Sequence, residues 1–435
     1  MVDGHIPQAK PRETGGFYAI GDTNVNPIRQ IQAPQPGQIA PNGTRFRTFR
    51  GPNVSLIKHL EPLAFPSFIF GGACAKHGLG PTRKAVLDPL TAEMTNHRPA
   101  AAKAVPLTAA EPGSSGRLPL PAGVTLNRIE WGQAAPILFY HLVALLAFIP
   151  WYFSWTGVIV AVITARLSGL LGINIGYHRL LTHRGFRCPK WLEHVLVVIA
   201  ICCVEDTPAR WVAVHRRHHQ HADEQPDPHS PLVNFLWGHV GWLIIKNPEL
   251  NRLGIYDRYA KDILRDPFYV ALERNWLQLK IILIQWLVFF GLGFLAELAM
   301  GGTAMQALQF GLSILIWGVF VRTVLVWHQT WAVNSITHLW GYRNYQTDED
   351  SRNNVFIGIL AHGEGWHNNH HADPRSARHG HKWWEFDTTW LTIRLFEKLG
   401  LATDVVGPSP YVMAKAGATT GQTITTHGPD GTPTH

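Results

Sequence analysis

Four apolar stretches long enough to cross a lipid bilayer constrain the fold of this chain more than any other sequence feature. They lie near Ala134–Trp155, Gly157–Tyr177, Leu277–Ala299 and Ala304–Trp327. A helix rises about 1.5 Å per residue, so about 20 residues cover the roughly 30 Å hydrocarbon core. The sequence therefore predicts an all-α membrane protein with four transmembrane helices.

The composition agrees with a membrane setting. Hydrophobic residues make up 46% of the chain and charged residues only 16%, below the roughly 25% usual for soluble domains. The chain has 17 Trp residues, a type that favours membrane interfaces. The net charge of +8 suits nucleic acid or an anionic membrane surface equally well. The apolar spans favour membrane lipids as the partner of these positive charges, and no nucleic-acid partner is expected.

Charges in the connections predict how the spans are oriented. The turns near Trp151–Trp155 and Met300–Thr303 carry no Lys or Arg, whereas the long segment between the second and third spans is rich in both. By the positive-inside rule, that segment and both termini face the cytoplasm. It would form a cytoplasmic helical cap. This topology suits a bacterial inner membrane and an endoplasmic reticulum alike.

The flanks differ in composition from the centre. Residues 1–125 are rich in Pro, Gly and Ala without sustained periodicity, which predicts a disordered N-terminal arm. Residues 126–403 form the predicted membrane domain, and residues 404–435 form a predicted disordered C-terminal tail. Arg166 falls inside the second span. Either that helix extends well beyond the bilayer, or Arg166 faces the bundle interior.

Three groups of histidines lie beside the spans. Residues 363–371 read GEGWHNNHH and residues 215–219 read HRRHH. Both carry histidines at i, i+3 and i+4 spacing, which on a helix places the rings on one face. Residues 178–183 read HRLLTH; its two imidazoles are about 140° out of line on an α-helix, so a helix end or bend is required. The eight candidate ligands are His178, His183, His215, His218, His219, His367, His370 and His371.

This number of imidazoles predicts a polynuclear metal site. Imidazole suits Zn, Cu, Fe and Ni, so the ligand type alone does not name the metal. Eight ligands exceed one tetrahedral site and suit two five- or six-coordinate ions, and the Cys ligands favoured by structural zinc are absent from these groups. Two redox-active irons that activate O2 fit best. Asn334 and His338, at i and i+4 after the fourth span, are further candidates.

These motifs resemble the integral-membrane fatty acyl desaturases of the Δ9 type, typified by stearoyl-CoA desaturase. The resemblance covers residues 126–401. It includes three histidine boxes in chain order, which are HRLLTH at 178–183 (the first box), HRRHH at 215–219 (the second box) and GEGWHNNHH at 363–371 (the third box). It also includes NSITH at 334–338, DPH at 227–229 and GHVGW at 238–242. It implies a mushroom-shaped fold with a cap over four membrane helices. It also implies one iron held by His178, His183, His215, His219 and His370, and another by His218, His338, His367 and His371, with Asn334 acting through a water.

The resemblance implies insertion of a cis double bond into a saturated acyl chain, using O2 and two external electrons. The chain has no cytochrome b5-type HPGG segment, so a separate cytochrome b5, ferredoxin or rubredoxin is the expected donor. Carboxylates are expected to orient the imidazoles, and Asp227 and Glu364 are candidates by adjacency. A diiron lipid hydroxylase, or a desaturase of another lipid, is the alternative function. A His-rich membrane metal-binding or transport protein is the remote one.

One departure from the family concerns the acyl carrier. Animal acyl-CoA desaturases carry Trp-Ala-Arg-Asp before the second box, where this chain has Trp211-Val212-Ala213-Val214. The missing charges put acyl-CoA in doubt and leave an acyl-carrier-protein substrate or a lipid-bound acyl chain open. The same departure from the animal sequence makes a bacterial inner membrane the expected location. Trp211, Arg210 and Arg216 are the candidates for contact with the substrate or its head group. The basic residues of this segment fit lipid head groups or, alternatively, an acidic donor.

Overall fold

The computed structural model describes residues 117–274 and 276–414. Within these ranges the chain forms helices, and β-pairing is limited to isolated bridges such as Ile129 with Ile245. In chain order the α-helices are α1 (Trp131–Leu145), α2 (Trp155–Ser168), α3 (Lys190–Ile201), α4 (Pro208–His221), α5 (Trp242–Ile244), α6 (Arg252–Tyr259), α7 (Pro267–Arg274), α8 (Leu277–Ala299), α9 (Ala304–Leu315), α10 (Arg322–Ile336), α11 (Val355–Leu360), α12 (His367–Ala372) and α13 (Thr388–Lys398). The prediction of an all-α fold is confirmed.

Shorter helical segments join or extend these helices. The π-helical segments, with i→i+5 hydrogen bonds, are Gly169–Thr182, Trp237–Gly241 and Ile316–Val321. The 3-10 segments are Leu146–Phe148, Pro248–Leu250 and Ile263–Arg265.

Four helical spans are long and apolar enough to cross a membrane. They are Trp131–Phe148, Trp155–Thr182, Leu277–Ala299 and Ala304–Ile336, of 18, 28, 23 and 33 residues. The third has the predicted bounds. The second and fourth continue past their predicted ends at Tyr177 and Trp327, so both carry helix into the histidine region.

The fourth span lies at the centre of the bundle. In its most apolar stretch 67% of the residues are buried inside the protein, compared with 11% in the corresponding stretches of the first and third spans. The first and third spans present large apolar side chains on the outside, as expected of lipid-facing helices; examples are Leu138, Leu142, Leu145, Leu287, Leu292 and Leu295.

Arg166 and Arg322 lie within the spans, and both have partners inside the protein. Arg166 donates to the carbonyl of Leu360 at 2.8 Å, at the C-terminal end of α11, and its helix continues to Thr182. The helix therefore extends well past Arg166, and the Arg166 guanidinium also contacts another part of the protein. Arg322 is buried and donates to the carbonyl of Cys202 at 3.0 Å.

The remaining helices form a cap on the end of the bundle that carries the histidines. Two shorter apolar runs of the sequence, residues 191–204 and 235–245, form α3 and the Trp237–Gly241 segment with α5, and neither is a span. In α13, Asp387 accepts a hydrogen bond from the backbone N–H of Trp390 at 2.8 Å and so caps the helix. The outer face of α13 exposes Leu391 and Leu395, and Leu399, which follows the helix, is exposed as well.

The predicted flanking segments fall largely outside the described residues. The N-terminal arm up to residue 116 and the tail after residue 414 are among the residues not described. Residues 404–414, assigned to the tail by composition, lie against the cap. The backbone N–H of Val406 donates to Gly185 at 2.8 Å, and Ser409 donates to Asp373 at 2.7 Å.

Candidate metal centre

Nine histidines converge in two adjacent groups where the bundle meets the cap. In each group one nitrogen of every member lies within 4.8 Å of those of the others. The five-histidine group contains His178, His183, His215, His219 and His370, and the four-histidine group contains His218, His338, His367 and His371. These are the sets that the sequence resemblance implied, now brought together by four separate stretches of chain.

The first box owes its geometry to a π-helical stretch. His178 lies in Gly169–Thr182 and His183 is the next residue after it, with its N–H bonded to the carbonyl of His178 at 3.1 Å. In i→i+5 bonding, residues five apart lie about one turn from each other, and such π segments are frequent at functional sites. The two rings therefore lie 4.7 Å apart between centroids. The helix ends at this box, as the spacing required.

The second box lies on α4, and its two arginines fix its position. His215, His218 and His219 face the centre, while Arg216 donates to the carbonyls of Leu181 and Thr182 at 2.8 and 3.1 Å. These carbonyls end the π-helical stretch, so Arg216 holds the first box against the second. Arg217 forms an ion pair with Glu249.

The third box begins with two glycines that the packing requires. Gly363 has φ +110°, and a Cβ there would lie 2.5 Å from the carboxylate of Asp387. A Cβ on Gly365 would lie 2.1 Å from the backbone nitrogen of Gly358. The following helix, α12, thus starts where it can direct His367, His370 and His371 into the centre.

The two asparagines of HNNHH hold the opposite face of α12. Asn368 accepts hydrogen bonds from the backbone N–H groups of Asn344 and Tyr345, both at 2.8 Å. Asn369 donates to the carbonyl of His379 at 2.8 Å and to Glu385 at 2.7 Å. Both side chains are buried, so the orientation of the helix is fixed on both sides.

Carboxylates contact the outer nitrogens of four of the histidines. Glu364 lies 2.7 Å from Nδ1 of His178, Asp227 lies 3.0 Å from Nδ1 of His218, and Asp223 lies 2.7 Å from Nδ1 of His338. Glu349 lies 3.7 Å from Nδ1 of His371. A carboxylate at Nδ1 fixes the tautomer and leaves Nε2 as a lone-pair donor. Asp227 and Glu364 were predicted by adjacency; Asp223 and Glu349 were not, because they are distant in sequence from their histidines.

Glu364 also belongs to a buried charge network. It accepts from Arg179 at 2.9 Å and lies 3.1 Å from Nδ1 of His379, while Arg179 also donates to Asp387 at 2.9 Å. Burial alone would raise the pKa of Glu364, but the charge of Arg179 and the neighbouring imidazoles hold it well below its ordinary value. Glu364 is therefore ionised and able to accept from His178.

The inner nitrogens fit a metal ion better than they fit one another. Nε2 of His370 lies 3.2 Å from Nε2 of His178 and 2.9 Å from Nε2 of His219, and Nε2 of His367 lies 3.1 Å from Nε2 of His338. Lone pairs facing at these distances repel. Nitrogens held about 2.1 Å from one ion at right angles lie about 3 Å apart. Nε2 of His183 is buried with no hydrogen-bond partner, so the donor set fits bound metal.

Six of the nine histidines of the centre have a pKa that keeps them neutral at physiological pH. His338 differs: burial alone would lower its pKa, but the carboxylate of Asp223 outweighs burial and raises it. Burial lowers the pKa well below its ordinary value, and neighbouring imidazoles lower it further, for His183, His215, His219, His367, His370 and His371. Neutral imidazole is the form that binds metal.

These low pKa values predict that the metal-free protein loses stability in mild acid. The unfolded chain binds a proton at each of these six histidines below about pH 6.5 while the folded chain does not, so they make unfolding more favourable as the pH falls. One pH unit below that value, each such histidine costs about 1.4 kcal/mol. The unfolding temperature of chelator-treated protein in detergent should fall from pH 7.5 to 5.5; an unchanged or higher value at pH 5.5 contradicts the prediction.

An apolar cavity reaches the centre from within the bundle. It runs past His178 and His215 of the first group and His367 of the second, between α1, α4 and the fourth span. Its apolar lining comes mainly from Ile137, Ile173, Trp211, Val326, Trp327 and Trp331. A chain threaded through this cavity would pass beside both histidine groups.

The other predicted site residues fall into two classes. Asn334, Trp211 and Arg210 line the apolar cavity, and Arg210 forms a 2.7 Å ion pair with Asp206. Arg216 does not line this cavity. Its guanidinium instead donates to the carbonyls at the end of the first box and forms a 2.7 Å ion pair with Asp262.

Glu205 is a cavity residue that sequence reasoning missed. Burial raises its pKa to about 8, and hydrogen bonds from Thr330 at 2.8 Å and Trp211 at 3.3 Å offset only part of that rise. The lining therefore holds a neutral carboxyl group. Nothing in the local sequence distinguishes it from a surface glutamate.

The fold and the site together define a class: an all-α membrane protein in which histidines at the end of a four-helix bundle can hold metal beside an apolar cavity. The sequence profile of the fatty acid desaturases matches residues 131–402. The chain belongs to the fatty acid desaturase family, and its activity is that of an oxygen-dependent desaturase.

Individual relatives differ in carrier and in the position of the double bond. The chain is 43% identical over 281 residues to an sn-1 stearoyl-lipid 9-desaturase of Anabaena variabilis, covering 65% of this chain and 95% of that protein. It is 39% identical over 281 residues to a chloroplastic palmitoyl-monogalactosyldiacylglycerol delta-7 desaturase of Arabidopsis thaliana, covering 65% and 70%. It is also 39% identical over 269 residues to an acyl-CoA C20 Delta5-desaturase of Anemone leveillei, covering 62% and 79%.

Proposed function

We propose that this protein inserts a cis double bond at the Δ9 position of a saturated acyl chain carried on a membrane glycerolipid. Two iron ions would be held by the five-histidine and four-histidine groups, with Asn334 acting through a water. O2 is the co-substrate, and two electrons come from a separate donor protein such as cytochrome b5, a ferredoxin or a rubredoxin.

The observation that carries the proposal is the meeting of the apolar cavity with both histidine groups. His178 and His367, from different groups, line the same cavity. An acyl chain has no polar group near its middle, so only the shape of the cavity can select which carbons lie beside the metal. Bound iron would supply the activation of O2 and the removal of hydrogen from adjacent methylenes.

The protein itself would contribute position and dryness. The apolar walls exclude water from the reacting carbons, and the neutral carboxyl of Glu205 adds no charge to them. Glu364, Asp227 and Asp223 hold their histidines in the tautomer that directs Nε2 inward. These contacts would keep the donors in place through repeated turnover.

A glycerolipid carrier agrees with the charges around the cavity. Arg210 is the arginine that lines it, and its guanidinium is neutralised by Asp206 at 2.7 Å. The phosphates of CoA call for unpaired cations, which this lining does not offer. The name of the Anabaena variabilis relative, a stearoyl-lipid 9-desaturase, agrees with this choice, and the charged connections support a cytoplasmic position for the cap.

Expression in a desaturase-deficient bacterial host tests this function. We expect monounsaturated acyl chains with the double bond at Δ9 in membrane glycerolipids, and none from the His371→Ala variant. The double bond is located by mass spectrometry of derivatised products. Labelled stearoyl-CoA, stearoyl-acyl-carrier protein and stearoyl-glycerolipid, supplied separately to isolated membranes with a reductant, identify the carrier. Hydroxylated chains without alkene, or a double bond at Δ7 or Δ5, would contradict the proposal.

A further inference from the structure

A second cavity reaches the metal centre and shares no lining residue with the apolar one. Its floor includes His219 of the five-histidine group and His371 of the four-histidine group. Its walls come from the end of α4, from the segment Tyr345–Glu349 and from Tyr411 and Val412. We call it the polar cavity.

The charges that line the polar cavity are all acidic. The four carboxylates are Asp223, Glu224, Asp348 and Glu349, and no Lys or Arg belongs to its described lining. Asp223 is already bonded to His338, and Glu349 lies beside His371. Glu224 and Asp348 are exposed at the mouth. A passage lined by one sign of charge concentrates ions of the other sign.

Metal must reach nine histidines that are largely enclosed. His178, His215, His218, His338, His367 and His370 are each at most 9% exposed. The apolar cavity is a poor route because moving a divalent cation along apolar surface carries a large desolvation cost. Three members, His183, His219 and His371, retain partial exposure, and two of them, His219 and His371, lie in the polar cavity.

We propose that the polar cavity is the route by which ferrous iron enters the two histidine groups, with the carboxylates of Glu224 and Asp348 attracting the cation at its mouth. The inference rests on the proposed metal centre but not on the desaturation chemistry. His219 and His371 are the first members of the two groups that an incoming ion meets, one for each ion.

The rate of metal binding tests this route without any assay of activity. Metal-free protein in detergent is mixed with Co2+, whose visible absorption reports nitrogen ligation, and Fe2+ content is measured at the end point. We expect the double variant Glu224→Gln/Asp348→Asn to bind Co2+ about tenfold more slowly at low ionic strength. The difference should vanish at about 1 M salt, where the Debye length is about 3 Å. The final content should stay at two ions per chain.

The matched control removes two exposed carboxylates elsewhere. Asp257 and Asp404 have side chains 62% and 64% exposed, close to the 66% of Glu224. The double variant Asp257→Asn/Asp404→Asn should bind Co2+ within about twofold of the original rate, because these carboxylates lie outside the cavity lining. Equal rates for the two double variants would overturn the proposal.

Obstruction of the mouth gives a second test. Gln346 is exposed and lines the polar cavity, so Gln346→Trp should slow both uptake of Co2+ and removal of Fe2+ by the hydrophilic chelator ferrozine. Unchanged rates in this variant would also overturn the route. A protein that never binds about two ions per chain would instead overturn the metal centre itself, so the two failures are distinguishable.

Discussion

His218→Ala should abolish desaturation and lower the iron content of the purified protein from two ions per chain toward one. His218 belongs to the four-histidine group, its Nε2 lies 3.4 Å from that of His371, and its Nδ1 is bonded to Asp227. Substitution of residues that merely orient a ligand typically costs 10–100-fold in affinity or activity. Loss of the ligand itself should cost at least about a hundredfold, measured as unsaturated product and as iron per chain.

The control lies on the same helix. His221 follows His218 by three residues, belongs to neither histidine group and is paired with Glu224 at 3.1 Å. His221→Ala removes the same imidazole from the same helix but should keep both ions and most of the activity. Full activity with two ions in the His218 variant would remove the four-histidine group from the proposal.

The sequence predicted the helices and the histidine faces because both are local properties. A run of about 20 apolar residues specifies a span whatever surrounds it, and i, i+3, i+4 spacing specifies a face of a helix such as α12. The bounds of the third span agree at both ends. The HRLLTH spacing was informative in another way, because it excluded a regular α-helix and the structure places a π-helical stretch there.

The missed features all depend on contacts between distant residues. Asp223 serves His338, which lies 115 residues further along the chain. Arg216 has the charge expected of a head-group ligand, yet its donors are taken by the carbonyls that end the first box. Composition can show that such residues are present. Only the packing of α4 against the π-helical stretch decides what they bind.

Glu364→Gln should weaken iron binding by the five-histidine group and destabilise the fold. Nδ1 of His178 would lose its carboxylate partner, which predicts a 10–100-fold fall in metal affinity. Arg179, 1% exposed, would keep only Asp387 of its two anionic partners. Breaking a buried ion pair on one side costs about 3–5 kcal/mol. Iron titration and thermal unfolding of the detergent-solubilised protein measure the two effects. The control is Glu249→Gln, which breaks a more exposed ion pair with Arg217. This control should lower the free energy of unfolding by less than about 1 kcal/mol.

A second substitution separates the two consequences of losing Glu364. In Glu364→Gln/Arg179→Met the unpaired buried cation is gone, and Asp387 still accepts from the backbone N–H groups of His379 and Trp390 at 2.7 and 2.8 Å. Part of the lost stability should therefore return. Iron affinity should not return, because His178 still has no carboxylate at Nδ1. If affinity recovers together with stability, Glu364 serves only to neutralise Arg179, and the histidine keeps its orientation without it.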